Sequence, residues 1–129
     1  MKFVTLGALA GASLLVAASA FAADVGSEIT NAAAHAGLAA QAADINGVHT
    51  HMHHALNCLV GPQGDGFDAK QMNPCAQSGN GAIPDEMDQM KKTKLMAARD
   101  DLSKGIAEVN LTAAKANASA AQAAIESAK

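Results

Sequence analysis

Ala43-Asp44-Ile45-Asn46 recurs at an offset of 64 residues as Ala107-Glu108-Val109-Asn110, with Leu38 and Leu102 in matching places ahead of the two copies. In each copy a helical run stops at an acidic residue, a β-branched residue follows, and an asparagine stands where its side chain can cap the next helix. A twice-repeated helix–turn–helix reads as two antiparallel αα-hairpins. Working outward, the first helix covers Glu28 to Ala43 behind Ser27 as N-cap. The second covers Gly47 to Leu59, capped by Asn46 and stopped by Gly61-Pro62. The third covers Asp85 to Ala107 with Pro84 just ahead of it, and the fourth runs toward Lys129. Between the hairpins, residues 60–84 hold all three prolines (Pro62, Pro74, Pro84) and five glycines, the composition of a long loop. The expected fold is an all-α, antiparallel four-helix bundle with a Gly/Pro-rich inter-hairpin loop.

Helical periodicity assigns the buried faces. The third helix offers Leu95, Ala98, Leu102, Ile106 and Val109, and the repeat makes Ala34, Leu38, Ala42 and Ile45 their counterparts in the first. Val48, Met52, Ala55, Leu56 and Leu59 face inward from the second helix. Leu111, Ala114, Ala118, Ala121 and Ile125 do so from the fourth.

The start of the chain has a different character. Lys2, an apolar run from Val4 to Val16, and Ala20-Phe21-Ala22 have the layout of a secretory signal peptide. The expectation is a signal over 1–22, one domain over 23–129, and a periplasmic or secreted location without stable membrane insertion. Without Lys2 the remainder carries 8 basic and 12 acidic side chains, which argues against nucleic acid as a partner. Phe67 is then the only aromatic residue, so the core must come from Ala, Leu, Ile, Val and Met. Cys58 and Cys75, in an exported chain, are expected to pair and pin the loop. Closing that loop is worth roughly 3 kcal/mol in the chain-entropy account.

Four of the five histidines fall within His49-Thr50-His51-Met52-His53-His54. At about 100° per residue, a helix divides them into His49/His53 on one flank of the apolar stripe and His51/His54 on the other. The i, i+4 pair His49/His53 has chelating geometry. A hairpin turning near Ile45–Asn46 sets position 35 opposite about 56, so His35 is expected to reach His53, with Met52 as a soft donor. The His51/His54 pair would draw on Asp65, Asp68 or a reduced Cys58. This donor set suits Cu, Zn or Ni, with copper first in affinity order. Met87 and Met90 read as core filling. Gly64-Asp65-Gly66-Phe67-Asp68 lacks the spacing and closing glutamate of a calcium loop.

Ala33-Ala34-His35-Ala36 and His51-Met52-His53-His54-Ala55, on Ala-rich helices of an exported chain, resemble the small periplasmic metal-binding protein family. The resemblance implies a four-helix bundle that binds divalent metals, copper among them, without catalysis, and carries over to His35 and the histidines of 49–54. This chain differs in confining its histidines to the first hairpin and in its Cys58–Cys75 loop. The competing readings are a structural or partner-binding bundle whose loop is the contact surface, and a b-type haem binder. CxxCH is absent, which excludes covalent haem, and aromatic residues to line a haem pocket are lacking. No nucleophile elbow, phosphate loop or HExxH points to an enzyme.

Overall fold

The computed structural model describes residues 22–129, and among them every regular element is helical. The order is α1 (Val25–Gln41), α2 (Ile45–Val60), a single turn α3 (Ala82–Asp85), α4 (Gln89–Ala107) and α5 (Leu111–Glu126). The long helices form a bundle in which α1 packs on α2 and α5, and α4 packs on the same two. The expected signal segment lies outside the described residues except for Ala22. No helix among the described residues is long and apolar enough to cross a membrane.

Each long helix starts at a side chain that accepts a first-turn N–H, the group left without an intrahelical partner. Asn110 accepts from Ala113 N at 3.0 Å, at the expected cap. The other starts differ from expectation. Asp24, not Ser27, opens α1 by accepting from Ser27 N at 2.9 Å. Asp44, not Asn46, opens α2 by accepting from Gly47 N at 2.8 Å. The expected helix from Asp85 to Ala107 is broken. Pro84 fits inside the first turn of α3, where no N–H is required. Glu86 and Asp88 then adopt extended backbone, and Asp88 restarts the helix by accepting from Met90 and Lys91 N.

The core is built largely from small residues. Val48, Met52, Ala55 and Leu59 of α2, Leu95, Ala98 and Leu102 of α4, and Ala114, Ala118, Ala121 and Ile125 of α5 are fully buried. Met52 lays its methyl and sulfur against Gly105 of α4, filling the space a side chain there would take. The expected face of α1 is corrected. Ile29, Ala32, Ala33, Ala36 and Ala39 are buried, whereas Leu38 is 47 % exposed. Ala34 is also exposed, and Ala42 and Ile45 are only partly covered. In so Ala-rich a helix, apolar periodicity says little about which face is covered. Val109, beyond the end of α4, is 91 % exposed.

The loop between α2 and α3 is fastened at three levels. Cys58 of α2 is disulfide-bonded to Cys75. Asn57, fully buried, donates from Nδ2 to the carbonyls of Asp68 and Met72 at 3.0 and 3.2 Å, and its Oδ1 accepts from Asp68 N at 2.9 Å. At the neck, Gly61 and Gly81 bring the two ends of the loop into backbone contact. Glu28 of α1 closes this neck: its Oε1 accepts from Gly81 N at 2.8 Å, while Oε2 is buried without a partner among the described residues.

Burial raises the Glu28 carboxyl to about 7; the Gly81 hydrogen bond opposes this, and Asp85 and Asp24 add to it. The folded state therefore holds a proton that the unfolded chain has released above its ordinary value of 4.5. The associated stability is present below that value and is lost as pH rises through 7. Glu28→Gln is thus expected to gain on the native chain by up to about 3 kcal/mol between pH 5 and pH 8. Denaturant unfolding at the two pH values reads this directly, and parallel stabilities for the two proteins would contradict it.

Candidate metal centre

The α1–α2 connection decides which histidines meet. Residues 42–44 are non-helical, so the turn centres on Ala43 rather than near Ile45–Asn46. Position 35 then comes opposite 51 instead of 56. His35 of α1 lies beside His51 and His54 of α2, and one ring nitrogen from each falls within 4.8 Å of the other two. His35 Nδ1 and His51 Nδ1 are 3.4 Å apart. The ring of His54 stands edge-on to both others, with centroids at 5.1 Å from His35 and 5.8 Å from His51.

The anchorage of α2 fixes this arrangement. His51 and His54 are three residues apart and share a face. Met52 and Ala55 between and beside them are held in the core, and the disulfide of Cys58 begins one turn further on. His54 is 8 % exposed, and its Nδ1 is buried without a hydrogen-bond partner among the described residues. His35 and His51 are half-buried, so the cluster opens to solvent on their side.

Desolvation lowers the proton affinity of His35, and the neighbouring His54 and His51 lower it further. His54 is lowered in the same way, by burial first and then by His51 and His53. Both rings are therefore held neutral to lower pH than a free imidazole, and the neutral ring is the form that binds a metal ion. Three imidazole nitrogens with one open side can hold a metal ion and leave a coordination position for water or another ligand.

The expected grouping of His49, His53 and His35 is not the one the fold assembles. His49 donates from Nε2 to the Glu108 carbonyl at 2.9 Å, tying α2 to the end of α4. His53 Nδ1 lies 3.8 Å from Asp68 Oδ2 and has no hydrogen-bond partner among the described residues. Asp68 thus faces His53 rather than supplementing His51/His54, and Cys58 is committed to its disulfide. Met52 is buried against α4. Met87 and Met90 are not core filling, being 85 % and 75 % exposed. The loop-anchoring roles of Asn57 and Glu28 are not among the sequence-based expectations. The signal for Asn57 was an amide enclosed in the otherwise apolar run Ala55 to Val60.

Compared with known proteins, the chain matches no protein-family model, no curated protein and no solved structure. The reading of the site therefore stands on its geometry and donor chemistry.

Proposed function

We propose that this chain is an exported, non-catalytic protein that captures one divalent transition-metal ion on His35, His51 and His54, with copper favoured, for storage, delivery or detoxification. The convergence of the three imidazoles carries the reading. Two imidazoles bound about 2.05 Å from one tetrahedral ion place their nitrogens roughly 3.3 Å apart, and His35 and His51 are already 3.4 Å apart. His54 places a ring nitrogen within 4.8 Å of both. An all-imidazole set binds copper, nickel and zinc, and copper leads the affinity order.

Export is supported by the signal-like start and by a disulfide, which persists in oxidising compartments. The two-hairpin, antiparallel reading of the bundle is supported by the short turns at 42–44 and 108–110 and by Lys115 Nζ donating to the Ala42 carbonyl at 3.1 Å. The likeness to small periplasmic metal-binding proteins extends, on this reading, to capture of a metal without catalysis.

Calorimetric titration of the purified chain with Cu(II), Zn(II) and Ni(II) tests the proposal. One ion per chain is expected, with Cu(II) bound most tightly. Binding no tighter than about millimolar for all three ions would overturn it.

A further inference from the structure

A cleft of about 340 Å3 opens between the loop neck and α4, and none of its lining residues belongs to the histidine cluster. Its size falls at the lower end of the range typical of small-molecule sites, roughly 300–1,000 Å3. Val60, Ile83 and Pro84 supply apolar surface, and Lys92 and Arg99 flank it from α4. The two cations are seven residues apart, close to two helical turns, and so share a face. Asp65 lines the cleft from the loop side.

The cleft's walls are fixed in the folded chain. Val60 ends α2 at the neck, where Gly61 and Gly81 are in backbone contact. Ile83 and Pro84 belong to α3 on the returning limb, and Glu28 holds that limb through Gly81 N. Arg99 donates to Asp100 Oδ1 from Nε and Nη2, which leaves its other N–H groups for a ligand. Lys92 makes no ion pair among the described residues. Among the lining side chains Lys92 and Arg99 are cationic and Asp65 is anionic, and Arg99 is paired with Asp100 at 2.7 Å.

We propose that this cleft binds a small monoanionic amphiphile: a carboxylate with a short apolar body. The apolar part lies on Val60, Ile83 and Pro84, and the carboxylate is received by Lys92 and Arg99. A monoanion complements Lys92, and the guanidinium edge left free by Asp100 supplies planar donors matched to a carboxylate. Asp65 opposes the ligand, which makes the sign of its effect diagnostic. The site is independent of metal capture, so either can fail without the other.

The test is titration of the purified chain with hexanoate, followed by methyl 1H–13C NMR, beside 1-hexanol as the neutral congener. Hexanoate is expected to give saturable shifts at the methyls of Val60 and Ile83 and to bind about fivefold more tightly than 1-hexanol, an advantage that shrinks with added salt. Lys92→Gln combined with Arg99→Gln should remove the difference, and Asp65→Asn should tighten hexanoate binding. Both changes are at solvent-accessible positions, and circular dichroism confirms that the helices persist. Equal affinity for hexanoate and 1-hexanol, or no saturable shift by about 20 mM hexanoate, overturns the proposal. Weaker hexanoate binding by Asp65→Asn also overturns it, because the cleft would then use its acidic wall to hold a ligand.

Discussion

His51→Ala is expected to lower Cu(II) affinity by about a hundredfold or more, a loss of about 2.7 kcal/mol, while leaving the bundle folded. The reason is geometric. His51 provides the nitrogen 3.4 Å from that of His35, so its removal breaks the pair already spaced for a common ion. His51 is only partly buried and is not one of the buried core residues, so little stability should be lost with it. The informative comparison is a double variant, His49→Ala with His53→Ala. It removes the pair that helical spacing alone favours, yet it should keep Cu(II) affinity within about threefold of native. Calorimetry on the two variants decides between the flanks of α2. Loss of binding in the double variant with retention in His51→Ala would move the ion to the His49/His53 side.

The largest stability effect is expected at the neck of the loop. Gly61→Ala should cost about 4 kcal/mol. Gly61 has φ +68°, and a Cβ there would run into the carbonyl of Asn80, a backbone group that cannot step aside. Relieving the overlap means parting Gly61 from Gly81, whose own φ is +114° and whose N–H is held by Glu28. Gly66 serves as the control. It also has positive φ, +88°, but a Cβ there would meet only Leu56, at an ordinary 3.5 Å. Gly66→Ala should therefore cost only the conformational strain, about 1 kcal/mol. Equal losses in urea unfolding of the two variants would show that the neck contact does not constrain the fold.

The parts of this structure that sequence made legible were those with distinctive chemistry. The Gly/Pro composition marked the loop, an asparagine marked the start of α5, and two cysteines in a chain expected to be exported marked the disulfide. The large side chains of α2 and α4 announced their buried faces through spacing. What stayed hidden depended on differences of two or three residues within an Ala-rich stretch. Asp44 caps α2 two positions ahead of Asn46, and the turn moves with it. A shift of that size in the turn moves the opposing position by twice as much, which is why His35 meets His51 rather than His53. The buried face of α1 was obscured for a related reason. Alanine on every side gives no contrast, and the one large apolar residue in its C-terminal half, Leu38, is exposed.

The three histidines also bear on the order in which the molecule assembles. His35, His51 and His54 fall within twenty consecutive residues, and only α1, α2 and the short turn between them are needed to bring them together. Contacts this local in sequence form early and quickly, before α4 and α5 have to be in place. A metal ion captured there would act as a template for the first two helices and would bind a largely unfolded chain as well. Ligand affinity for the unfolded state subtracts from the stabilisation that binding confers. Metal should therefore speed refolding more than it raises the melting temperature.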